Sequence, residues 1–76
     1  MTVSLYPNPN YGSFTIKMSG SEEIKSIEVI NLVGQEVYSV QNPSALQINL
    51  PVETTGIFFV KVTTASKTLT KKMIVK

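Results

Sequence analysis

A chain of 76 residues supports one domain, and a domain of that size buries only about 60 to 65% of the surface its unfolded chain exposes. With 42% hydrophobic and 16% charged residues the composition is that of a folded unit, since disorder requires low hydrophobicity and high net charge. The net charge of +2 demands no polyanion, and with no cysteine the chain has no disulfide framework to support its thin core. Its start lacks the apolar region of a signal peptide, and no apolar run approaches the roughly 20 residues that span a bilayer, so no transmembrane segment is expected. Any export signal is therefore expected on a larger parent from which residues 1–76 come as a single terminal domain.

In chain order, a short strand is expected near Val3 to Leu5, followed by Tyr6-Pro7-Asn8-Pro9. Two prolines around an asparagine fix φ and favour an extended entry followed by a turn. From Ser13 to Met18, Phe14, Ile16 and Met18 alternate with Ser13, Thr15 and Lys17, the period-2 signature of a half-buried strand. The run Ile27 to Val33 is apolar on both parities, with Ile27 and Val29 on one face and Ile30 and Leu32 on the other. Either both faces are covered or a bulge shifts the phase.

Gly34 then supplies a positive φ in a tight hairpin turn leading into Gln35 to Val40. Leu46, Ile48 and Leu50 alternate with Gln47 and Asn49 until Pro51 ends the run, because proline lacks the N–H that a central ladder needs. Phe58, Val60 and Val62 form an inward row opposite Lys61 and Thr63, with Ile57 and Phe59 indicating partial cover on the outer side. Gly12, Gly20 and Gly56 punctuate other joins. The link Thr64-Ala65-Ser66-Lys67 has no glycine and is expected to be a looser loop. Seven strands at roughly ten-residue spacing predict an all-β, immunoglobulin-like antiparallel β-sandwich.

The chemistry is more notable for what it lacks. Without histidine or cysteine the usual nucleophile and base pairings do not exist, and no glycine-rich nucleophile elbow accompanies the serines and lysines. Without aspartate, histidine or cysteine a dedicated metal site has few ligands to draw on. The one adjacent carboxylate pair, Glu22-Glu23, follows the polar turn Ser19-Gly20-Ser21 and reads as solvated. No phosphate-cradling glycine loop is present. An enzyme is not expected, nor is any cofactor.

Lys67, Lys71, Lys72 and Lys76 place four charges in the last ten residues, interleaved with Leu69, Met73, Ile74 and Val75. Nucleic acid is not the expected partner, since arginine is absent and the aromatics are not clustered with the lysines. The bland reading is that lysines blunt an edge strand against unwanted pairing. The functional one is that a receptor reads this terminal strand. Tyr6, Tyr11 and Tyr38 would suit a sugar-stacking platform only if brought together, and scattered tyrosines are more often packing or rim residues.

Three segments in fixed order carry a resemblance. Leu5-Tyr6-Pro7-Asn8-Pro9 with Gly12 and Phe14-Thr15-Ile16 comes first, then Ile27 to Val37 with Asn31-Leu32-Val33-Gly34-Gln35. Gly56-Ile57-Phe58-Phe59-Val60-Lys61-Val62 and Lys71-Lys72-Met73-Ile74-Val75-Lys76 close the series. Together they resemble the type IX secretion system C-terminal sorting domain, the Por secretion C-terminal domain family, from about Val3 to Lys76. Asn31 stands at a position often acidic there, Gln35 at one often basic, and Phe58 where tyrosine is frequent.

The resemblance implies a passenger signal. The parent would reach the periplasm by an ordinary signal peptide, and this domain would engage the type IX translocon and be removed by a sortase-like protease. The cargo would end at the cell surface or outside the cell. The mechanism hypothesised for that signal is edge recognition of the final hairpin, with backbone pairing supplying affinity and lysines and apolar side chains supplying selectivity. Recognition by the translocon would fall on Lys67, Lys71, Lys72, Met73, Ile74, Val75 and Lys76. Pro7, Asn8, Pro9, Gly12, Leu32, Gly34, Gly56, Phe58 and Val60 would hold the fold's motifs. An exposed edge strand would also permit a dimer. The competing readings are an immunoglobulin-like module that binds protein or carbohydrate directly, and a structural spacer.

Overall fold

The computed structural model describes residues 2–20, 23–51 and 54–76. Glu22 of the Glu22-Glu23 pair lies outside them. The described residues form seven strands: β1 (Val3–Tyr6), β2 (Ser13–Met18), β3 (Ile24–Asn31), β4 (Glu36–Gln41), β5 (Gln47–Asn49), β6 (Gly56–Thr64) and β7 (Thr68–Val75). They make two antiparallel sheets, one ordered β1-β2-β5 and the other β4-β3-β6-β7. The fold is the expected all-β sandwich, with β4 beside β3 in the larger sheet.

The alternating residues meet between the sheets. Phe14 and Ile16 from β2 and Ile48 from β5 face Ile27 and Val29 from β3, Phe58, Val60 and Val62 from β6, and Met73 and Val75 from β7, all buried. Leu5, Met18, Val37, Tyr38, Val40, Leu46 and Leu69 close its rim. Pairing of β2 with its neighbour continues past both ends of β5, through Ile16 N–H to the Leu46 carbonyl (2.8 Å) and Leu50 N–H to that of Gly12 (2.7 Å).

The two-parity run in β3 resolves through irregular register. Pairing with β6 shifts between Ile24 and Ser26, and pairing with β4 shifts between Val29 and Ile30. Ser26 and Ile27 are consequently both buried although adjacent in sequence. The strand also ends earlier than its hydrophobicity suggests. Leu32 is 64% exposed and Val33 80% exposed, because both lie in the turn after Asn31. Leu32 therefore contributes nothing to the core, contrary to its expected place on a covered strand face.

A second correction concerns Thr64 to Lys67. The link is tight: the Thr64 N–H donates to the Lys67 carbonyl at 2.8 Å, and Thr64 Oγ1 lies 3.3 Å from the Lys67 N–H that donates to it. A threonine hydroxyl anchors this turn where a glycine was expected to be needed. Gly34, with φ of 85°, does carry the positive backbone angle expected of it.

Candidate functional site

The candidate surface is the outer edge of β7, the last strand of the larger sheet. Strand alternation divides its residues. Met73 (0% exposed) and Val75 (2%) point into the sandwich opposite Phe58 and Gly56, whereas Ile74 (39%) faces out beside Ile57. Met73 and Val75 thus anchor the strand and offer no side-chain surface in the folded domain. The exposed members of the expected recognition set are Lys67, Lys71, Lys72, Ile74 and Lys76. Lys71 pairs in register with buried Val60 but is itself exposed.

The backbone of the strand is divided too. Odd-numbered residues direct their N–H and C=O toward β6 and even-numbered ones direct theirs outward, as the contacts of Ile74 and Lys76 demonstrate. The outward groups at the C-terminal end are occupied by the Pro7-Asn8-Pro9-Asn10 segment, whose Tyr6-Pro7 and Asn8-Pro9 peptide bonds are both cis. The Asn8 side chain behaves as a detached peptide unit: its Nδ2 donates to the Lys72 carbonyl, and its Oδ1 accepts the Ile74 N–H, each at 3.1 Å. The Asn10 backbone continues the cover, donating to the Ile74 carbonyl at 3.0 Å and accepting the Lys76 N–H at 2.7 Å, in a parallel bridge to Val75.

Asn10 is what the sequence reading missed. It is 1% exposed. Its Nδ2 donates to the Pro7 carbonyl (3.0 Å) and its Oδ1 accepts the Gly12 N–H (2.8 Å), which folds the strap back on itself. The available signal was the spacing Asn10-Tyr11-Gly12, an asparagine able to bond the backbone two residues on, before a glycine whose φ is 108°. Of the expected motif residues, Asn8 bonds the terminal strand directly, Pro7 and Gly12 are tied to it through Asn10, and Pro9 lies between Asn8 and Asn10. Gly34 and Leu32 lie in the Asn31–Gln35 turn, and Gly56 begins β6.

A second feature is an open groove of about 460 Å³ between that turn and the start of β6, lined among others by Leu32, Val33, Val37, Gly56 and Phe58. In the turn, Asn31 Oδ1 accepts the N–H groups of Val33 (3.0 Å) and Gln35 (2.9 Å), and Asn31 Nδ2 donates to Gln35 Oε1 at 3.0 Å. Asn31 and Gln35 are thus joined by a neutral bond in place of an ion pair.

Charge is segregated. Lys61, Lys67, Lys71, Lys72 and Lys76 all lie on β6, β7 or the ends of that hairpin, which carry no glutamate. The one ion pair within 4.0 Å among the described residues, Lys25 with Glu23 at 3.8 Å, lies elsewhere. Among the described residues no cluster of three acidic, histidine or cysteine side chains could hold a metal ion, and no helix is long and apolar enough to cross a membrane.

A search of curated proteins finds no match to this chain. The model of the secretion system C-terminal sorting domain family does match, over residues 4–76. That span takes in the strap, both sheets and the lysine-bearing final strand, so the chain belongs to the type IX secretion system C-terminal sorting domain family.

Proposed function

We propose that this domain closes a larger exported protein as its removable label, and that the translocon reads it through the exposed side of β7. The family is a sorting signal, not a catalytic domain, and its partner is the type IX secretion machinery, which exports the parent to the cell surface or beyond. The observation that carries the reading is the family match over nearly the whole chain. Its finer parts are passage through the periplasm, removal by a sortase-like protease, the absence of catalysis by the domain itself, and recognition through Lys67, Lys71, Lys72, Ile74 and Lys76. The exposure of those side chains on one edge strand and at its two ends supports the last of these.

A fluorescent reporter carrying an N-terminal signal peptide and this chain at its C-terminus tests the reading in a bacterium with a type IX system and in its translocon-deficient mutant. Surface or medium fluorescence only in the competent strain is the expected result. Lys71→Glu with Lys72→Glu should lower export about tenfold or more, the factor that about 1.4 kcal/mol of lost affinity produces, with the unfolding transition unchanged. Normal export of the double variant would remove β7 from recognition.

A further inference from the structure

We propose that the unpaired edge of β7, from Thr68 to Lys72, docks one extended, acidic segment of the secretion machinery, and that the Asn8 and Asn10 strap fixes where that segment stops. This rests on the sorting function and on β7 being the strand that is read.

Thr68, Thr70 and Lys72 are the even-numbered residues ahead of the strap, so the N–H and C=O of Thr68 and Thr70 and the N–H of Lys72 face away from β6. Among the described residues no backbone or side-chain bond from another segment reaches these outward groups, whereas the next ones, from the Lys72 carbonyl to the Lys76 N–H, are held by Asn8 and Asn10. An open row of alternating donors and acceptors pairs with an added strand. Here it admits about five extended residues, roughly 17 Å of chain, before meeting the strap.

Charge selects the occupant. Lys71 and Lys72 point to opposite faces of the strand, so an added segment lies between positive groups on both sides, with Lys67 and Lys61 nearby and no glutamate on the hairpin. Alternating side chains of that segment would meet lysine on either face, which favours aspartate and glutamate. A second copy of this chain fits worse. Two such edges paired antiparallel would bring Lys71 and Lys72 of each within about the 8 Å over which charges act at physiological salt.

The direct test titrates isotope-labelled domain with a blocked synthetic heptapeptide alternating glutamate with threonine and valine, and with its lysine counterpart. Amide shifts are expected at Thr68, Thr70 and Lys72 with the glutamate peptide, and roughly tenfold weaker binding with the lysine peptide. In Asn8→Ala the shifts should extend to Ile74. Thr70→Pro removes an N–H that faces away from β6, so it should abolish the shifts while the ladder and the unfolding transition persist. A synthetic domain N-methylated at Thr70 repeats the test should proline disturb folding. Shifts centred on the Leu32 groove, equal binding of the two peptides, no shifts at saturating peptide, or the same shifts on concentrating the domain alone would each overturn the proposal. In the export assay, normal secretion of a folded Thr70→Pro reporter would overturn edge docking while leaving the sorting function standing. Failure of the unaltered reporter to leave the cell would take down both.

Discussion

Asn10 and Asn31 make nearly the same bonds in opposite surroundings. Each donates its backbone N–H and accepts at its carbonyl, each accepts a backbone N–H at Oδ1, and each donates through Nδ2. Both precede a glycine with positive φ, Gly12 and Gly34. Asn31 does this in a local hairpin turn open to water, where its partners lie within four residues. Asn10 does it at 1% exposure, and its backbone reaches Ile74 and Lys76, more than sixty residues away. The same chemistry shapes a turn in one place and joins the two ends of the chain in the other. What differs is whether water can replace the bonds when they are lost.

The sharpest way to break this comparison is to remove each amide. Asn10→Ala should cost about 2–3 kcal/mol, since two partners are left unpaired in a corner that water reaches poorly, and that is a large share of what a domain this small holds. Denaturant unfolding gives the value, and a loss below about 1 kcal/mol would mean the corner is effectively solvated. Asn31→Ala should cost about 1 kcal/mol in the same measurement, because water can satisfy the freed N–H groups of Val33 and Gln35. Equal losses from the two variants would erase the distinction. Leu32→Ser with Val33→Ser should shift stability by less than about 0.5 kcal/mol, as both side chains stand outside the core. A loss well above that would show that the turn's apolar tip is covered within the domain itself.

The strands were legible where one parity is buried and the other wet. Phe14 and Ile16, Ile48 and Leu50, and Phe58, Val60 and Val62 all face inward as their alternation requires. The run after Ile27 misled because hydrophobicity alone cannot tell a strand from a turn tip, and at Asn31 the side-chain carboxamide competes with the ladder for the backbone. At Thr64 a hydroxyl substituted for the missing glycine. The cover on β7 was hidden for another reason. Pairing between Asn10 and Val75 joins residues near opposite ends of the chain, and no periodicity records a contact at that separation. The lysines of β7 could be counted in advance. Which of them stand beside a closed edge and which beside an open one could not.

The strap also decides how the domain meets a mechanical load. Asn10 runs parallel to the end of β7, with the early chain leading away from one end of this pair and Lys76 from the other. Tension applied between the chain's two ends therefore pulls the segments past each other along their length. The bonds among Asn8, Asn10, Lys72, Ile74 and Lys76 are stretched together in shear and do not open one by one like a zip.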